Sequence, residues 1–458
     1  MVSKNCTTQG LSRREFMRLV VLTGAGAWVA ACAPPAAPTQ PEAPAAPEVK
    51  VPEEVTLTFW HHWGGTRVPL MEAMIAEFQE KNPGIKVEMT LQPWDRRLEK
   101  LLAGVAAGTA PDVTMLGRQD VPQFVENNAL IPLDEFMAKD GIKHEDFYPG
   151  EIGPCIYKGQ TWILPIPTGG GYGLVYYNKE LFEAAGLETD PAKQPKTWSE
   201  LEGIAKALTR IEGGKVVQLG VPIGFNRVEF QQWLYTNNGK LLSDDGKEVL
   251  FNSPEGLETV EWMLHFLNDI NGGREAVEGW VEPGVNPFVA GLQAMQISGV
   301  WQWFIIKREA PDIDLAIFLR PHSDDGELLI PIFEGWGYVI PKGTEHPEAA
   351  WKLVKWLTWE TGGKSACWFM REQKRPSPRI ACNEHPEASG GHPQWELVLS
   401  SLDKHVTPPY LPINAQINDI VNTAMQEIYL GQRTPKEGLD DAAEQVQKLL
   451  DEYWAKAA

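Results

Sequence analysis

The sequence predicts an α/β protein of two lobes, each a mainly parallel sheet flanked by helices. Three observations predict it. Segments with strand and helix periodicity alternate from Val55 onward. The chain has 458 residues, and one hydrophobic core rarely grows past about 250–300 residues. Apolar residues make up 43% of it, enough to fill large cores.

The elements follow in order. Val55 to Trp60 alternates as a strand, and the next helix places Met71, Met74, Ile75 and Phe78 on one stripe. Asn82-Pro83-Gly84 breaks that helix, and Ile85 to Met89 is a second strand. Leu98, Leu101, Leu102 and Val105 line another helix, closed by Gly108, before a third strand, Pro111 to Leu116. This βαβαβ start implies parallel pairing covered by helices. Strands are predicted again over Leu174 to Tyr177, Met295 to Ile297 and Tyr338 to Ile340. Helices are predicted over Ser199 to Thr209, Pro347 to Thr358, Asn418 to Leu430 and Gly438 to Tyr453. Ser253-Pro254 opens one more, since Ser suits the N-cap and Pro the first helical position.

The N-terminus reads as an export signal. Ser12-Arg13-Arg14-Glu15-Phe16-Met17 fits the twin-arginine pattern, and the apolar run Leu19 to Ala31 is too short to span a bilayer. It ends in Val29-Ala30-Ala31-Cys32, which looks like a bacterial lipobox, so residues 1–31 are expected to leave and Cys32 to carry lipid. Residues 32–53, nearly all Pro, Ala and Glu, form an extended tether. The expected location is therefore extracytoplasmic, anchored to the membrane through that lipid.

Composition narrows the partners. A net charge of -20 argues against nucleic acid, which needs Lys/Arg-rich faces. Eighteen Trp exceed ordinary usage, and flat aromatic sites use Trp as cores do. After Cys6 and Cys32 are set aside, Cys155, Cys367 and Cys382 remain; a Cys367–Cys382 disulfide and three buried thiols are both open. There is no CxxC, HExxH, GxSxG, Walker or GxGxxG motif, so neither a metal, a cofactor nor an enzyme is expected. His61 and His62 are adjacent on a strand end and point to opposite sides, which does not suit one ion.

Several stretches, in order, carry a resemblance. They are Phe59-Trp60-His61-His62-Trp63-Gly64-Gly65, Asn82-Pro83-Gly84-Ile85-Lys86-Val87, Ala106 to Val113 (AAGTAPDV), Tyr177 to Phe182 (YNKELF), Pro195-Lys196-Thr197-Trp198 and Met295 to Trp303 (MQISGVWQW). Together, over Val55 to Tyr453, the chain resembles the family 1 extracellular solute-binding proteins, the group that includes maltose-binding protein. The resemblance implies a periplasmic-binding-protein-like fold with a three-segment hinge. It places the crossings near Thr168 to Tyr172, Phe333 to Gly337 and Lys374 to Pro378. The lobes would then be 54–168 with 337–375, and 169–336 with 376–458. It also implies a monomeric receptor that binds a sugar, closes on it and hands it to ABC permease subunits. An anionic or polyamine solute, such as glycerol-3-phosphate, is the alternative, with a surface hydrolase behind it.

Ligands of open α/β sheets sit beyond the carboxyl ends of strands. His61, His62 and Trp63 follow the first strand, Arg118 and Gln119 the third, and Trp301 and Trp303 follow Gly299. Tyr172 lies at the implied first crossing, Glu334 and Trp336 at the second. A Trp plane covers the apolar face of a pyranose, and polar tips serve its hydroxyls. At the position matching Trp301 the family stacks a ring on sugar. Read as a strand, Trp301 and Trp303 face one side, so both line a pocket or both are core. Arg118 either pairs internally or recognises a carboxylate or phosphate. Trp60 is expected in the core, and Trp262, Trp351, Trp356 and Trp359 in helix packing.

Overall fold

The computed structural model describes residues 54–167 and 171–457. The signal segment, Cys32, the tether and the stretch 168–170 of the first crossing lie outside the described residues. Among the described residues no helix is long and apolar enough to cross a membrane.

The first lobe is built on a five-stranded sheet, in the order Ile85–Leu91, Val55–His61, Val113–Gly117, Trp336–Val339, Leu164–Pro165. The first three strands run parallel, as the βαβαβ pattern predicts. Trp336–Val339 comes from far along the chain and enters antiparallel to both its neighbours. Alternation sorts the first strand's side chains: Leu57, Phe59 and His61 are buried, while Trp60 and His62 stand on the other face, half-buried. Met71, Met74, Ile75 and Phe78 of the helix Val68–Lys81 pack into the same core as Trp351 and Trp356 of the helix Pro347–Thr358.

The second lobe departs from expectation. Its sheet has Leu174–Asn178 in the middle, with Met295–Ser298 and Leu315–Leu319 both antiparallel to it. The two outer strands do form a βαβ unit around the helix Gln302–Glu309, and they run parallel to each other. They straddle a strand running the opposite way. Periodicity marks the unit but not what is inserted within it. A parallel partner is added at the edge, where Leu219 bridges Gln293.

The central strand separates two cores. Val175 and Tyr177 face one that includes Trp198, Phe230, Trp233 and the terminal helices; Leu174 and Tyr176 face another with Phe288, Val300, Trp303 and Ile306. The helix Pro254–His265 starts where predicted, with the Ser253 hydroxyl accepting from the Gly256 N–H at 3.3 Å. Trp262 stacks on Trp198, with centroids 4.2 Å apart. Trp359 sits just past its helix, under the Arg379 guanidinium.

Cys367 and Cys382 form a disulfide, and Cys155 is buried and free. Burial pushes the Cys155 thiol up to about 12, and its Sγ–H donates to the Glu151 carbonyl at 3.5 Å. The bond joins the helix Ala366–Glu372, whose Phe369 and Met370 are first-lobe core, to the helix Ile380–Asn383. The segment Lys374 to Pro378 lies between them.

Candidate functional site

A cavity of about 300 Å³ lies beyond the carboxyl ends of the first-lobe strands. His62, Trp63, Arg67, Trp94, Met115 and Trp336 line it from the first lobe, and Trp301 faces them from the second. Pro167, Glu334, Gly335 and Arg375 complete the wall. This is within the size range of small-ligand pockets.

The first strand delivers two of these groups by alternation. His61 turns inward, where it stacks on Phe59 and its Nδ1 accepts the Trp63 N–H at 3.2 Å. Burial first, and the adjacent His62 second, lower its pKa to about 4, so it is a neutral core group. The expectation that His61 contacts ligand is therefore corrected to a bracing role. His62 points the other way, its Nδ1 3.1 Å from the Gln92 carbonyl oxygen, and it meets Trp94 edge-on at 5.2 Å. Trp63 is held by its Nε1–H donating to the Tyr338 hydroxyl at 2.8 Å, leaving one edge to the cavity.

Two indoles make the first-lobe platform. Trp94, 50% exposed, lies 4.5 Å from Trp336 between ring centroids. Arg97 covers both, with its guanidinium carbon 4.5 Å from Trp94 and 5.3 Å from Trp336, and it reaches Asp120 at 3.9 Å. Trp301 opposes them. The strand before it ends at Ser298, so Trp301 sits at the N-cap of the helix Gln302–Glu309. Gly299 allows that pose, since a Cβ there would collide with the Trp301 ring.

This turn separates the two tryptophans expected to share a fate. Residues two apart on a helix point nearly opposite ways. Trp301 enters the cavity, whereas Trp303 is buried in the third core against His392, with centroids 3.9 Å apart. Trp303 is thus corrected to packing. Tyr172 stands behind Trp301, 6.0 Å away, and edge-on to Phe333, so it supports the wall without lining the cavity.

The most consequential correction concerns Arg118. It is fully buried, and its Nη1 donates to Glu151 Oε2 at 2.9 Å and to the Glu151 carbonyl at 2.6 Å. Glu151 Oε1 lies 3.0 Å from His405 Nδ1. Burial opposes the Arg118 charge, but Glu151 together with Cys155 and Tyr410 outweighs it and the pKa is raised. The group is an internal ion centre behind the pocket wall. Gln119 is likewise structural: its Oε1 accepts the Gly335 N–H at 3.3 Å. Gly335 is the partition, because a Cβ on it would land on the Arg118 guanidinium.

Strand-end reasoning missed Arg67, Trp94 and Arg375. Trp94 follows the second strand, Ile85–Leu91, so the rule applied to strands one and three would also have found it. Arg375 lies in the segment Lys374 to Pro378, behind a left-handed Lys374 at φ 50°. Arg67 ends the short turn before the first helix, with its guanidinium carbon 5.3 Å from the Trp63 ring and its Nε–H donating to Gln373 Oε1 at 3.0 Å. Arg375 lies 5.5 Å from the Trp301 ring. Burial, then Arg67, lower its pKa to about 9. Burial raises the Glu334 carboxyl against the pull of Arg375, Arg97 and Arg118. Asp120 is raised to about 6 by burial, against Arg97 and with Glu334. Among the described residues no cluster of His, Cys, Asp and Glu is arranged to hold a metal.

The profile of the bacterial extracellular solute-binding proteins matches residues 64–364. A solute-binding protein of an ABC transporter from Thermotoga lettingae, solved with alpha-D-tagatose, is 28% identical and superposes with a TM-score of 0.70, covering 86% of this chain and all (100%) of that one. A binding protein of Brucella abortus (strain 2308) is 26% identical over 83% of this chain and 90% of its own length. The sn-glycerol-3-phosphate-binding periplasmic protein of Escherichia coli (strain K12) is 23% identical, over 87% of this chain and 93% of its own.

Proposed function

The chain belongs to the bacterial extracellular solute-binding protein family, and from that premise we propose that it is the capture receptor of an ABC importer for a carbohydrate. It is a binding protein, not an enzyme. The observation that carries the sugar is the facing of Trp301 on one lobe and the Trp94–Trp336 pair on the other across one cavity. Indole planes cover the C–H face of a pyranose, and His62, Glu334 and the guanidiniums supply fixed polar tips for its rim. The tagatose-bound Thermotoga lettingae relative supports the same reading.

The receptor works as a monomer tied to the outer face of the membrane by lipid on Cys32, after export through the twin-arginine signal. The lobes, 54–168 with 337–375 and 169–336 with 376–458, turn about the three crossings and bring Trp301 toward Trp336. The closed form docks on the permease subunits. The working set at the cavity is His62, Trp63, Trp94, Trp301, Glu334 and Trp336, joined by Arg67 and Arg375.

A thermal-shift screen over mono- and oligosaccharides, followed by calorimetry on the best, tests this. A carbohydrate should raise the Tm, and Trp301→Ala should weaken its binding by about tenfold or more. A protein stabilised by peptides or amino acids and by no carbohydrate would overturn the reading.

A further inference from the structure

We propose that the binding site has a second compartment, between the helix Arg97–Ala107 and the sheet, and that the solute is an oligosaccharide: one sugar unit lies in the Trp301 cavity and the next against Trp60, joined across His62. The inference deepens the receptor reading above and rests on it.

The first observation is continuity. A second cavity, of about 400 Å³, opens between the helix Arg97–Ala107 and the sheet face that carries Trp60 and His62. Its wall shares His62 and Met115 with the wall of the Trp301 cavity. Trp60 stands two residues from His62 on the same strand face, so it lies roughly 7 Å farther along. That step is on the scale of one sugar ring.

The second observation is the lining. Trp60 is half-buried, with Lys100 Nζ 4.6 Å from its ring centroid. The same Nζ donates to Gln92 Oε1 at 2.5 Å, which leaves the Gln92 amide nitrogen as a donor in the wall. An empty packing void is apolar. This cavity instead carries the exposed Asp95, Arg96 and Glu99 at its mouth. An indole with polar groups at its edge repeats the chemistry around Trp301.

His62 fits the junction. The Gln92 carbonyl can only accept, so the 3.1 Å hydrogen bond places the proton on Nδ1 and leaves Nε2 an acceptor. Burial, with Arg97 and against the Gln92 bond, lowers the pKa of the ring, which is therefore neutral at pH 7. A neutral acceptor on the wall common to both cavities matches a sugar hydroxyl. The chain enters the helix through Arg96, a residue other than glycine held in the left-handed region at φ 52°. Such conformations cluster where the backbone shapes a site.

Calorimetry on chains of increasing length decides it: D-glucose with maltose and maltotriose, D-glucose with cellobiose and cellotriose, and D-mannose with mannobiose and mannotriose. The expected result is a series whose disaccharide binds at least about tenfold tighter than its monosaccharide. Ala103 is exposed on the helix side of the second cavity. Ala103→Trp should plug that cavity and cut the gain to within about twofold. Lys100→Met removes the charged edge beside Trp60 and should also shrink the gain; it carries the test alone if Ala103→Trp lowers the ligand-free Tm. Disaccharides that bind no tighter than their monosaccharides overturn the second compartment and leave the receptor standing. A gain that survives in the folded variants does the same. Binding of no carbohydrate in any series overturns the receptor reading and this proposal with it.

Discussion

Two charged clusters lie back to back across Gly335, and they obey opposite rules. Behind it, Arg118, Glu151 and His405 are sealed and mutually engaged. In front, Arg67 and Arg375 share a cavity with one carboxylate that burial has made a weaker acid. A buried ion pair is costly to break because the surviving charge is left in low dielectric. The contrast teaches that burial alone does not mark an arginine as structural; whether it reaches the wall of a cavity also counts.

The largest effect should come from breaking the rear cluster. Glu151→Gln leaves the Arg118 charge without its carboxylate and should cost about 3–5 kcal/mol in urea unfolding. A cost below about 1 kcal/mol would mean that water reaches the pair and the contrast fails. Next comes the partition itself. Gly335→Ala drives a Cβ into the Arg118 guanidinium and should cost about 1–3 kcal/mol. Trp301→Ala, on the open side, should leave stability nearly unchanged, whereas Trp303→Ala, two residues on, should lose about 3–5 kcal/mol.

The smallest effect sharpens the front. Asp120 is raised from 3.8 to about 6, so between those values the folded protein keeps a proton that the unfolded chain has released. Stability should therefore fall as pH rises from about 4 to 6, by on the order of 1 kcal/mol after solvent screening. Asp120→Asn should remove that slope from unfolding measured across the window. A slope of the opposite sign would place the carboxyl on the ion-paired side.

Much of this was legible beforehand, and the failures have physical causes. The first lobe followed from alternation at Val55–His61 and the stripe Met71, Met74, Ile75, Phe78, because both periods report one buried face. The antiparallel second sheet was not legible: spacing finds strands, while Leu174–Asn178 takes its place between two later strands through long-range pairing. Trp301 and Trp303 share a face only if the strand runs on through them, and Gly299 is where strand gives way to helix. Arg118 stands at a strand end like a ligand residue, and only the burial of Glu151 beside it decides otherwise. Arg375 has no local pattern at all, since its meaning comes from Trp301, which lies far away in sequence.

The Cys367–Cys382 bond has a mechanical consequence. It closes residues 367–382 into a ring that carries both Arg375 and, through Gln373, the hold on Arg67. Such a ring cannot pay out slack. If the proposed receptor closes by turning one lobe, that turn is absorbed within a few torsions around Lys374 and swings the Arg375 guanidinium with it, so that gripping the guest and shutting the jaw become a single motion.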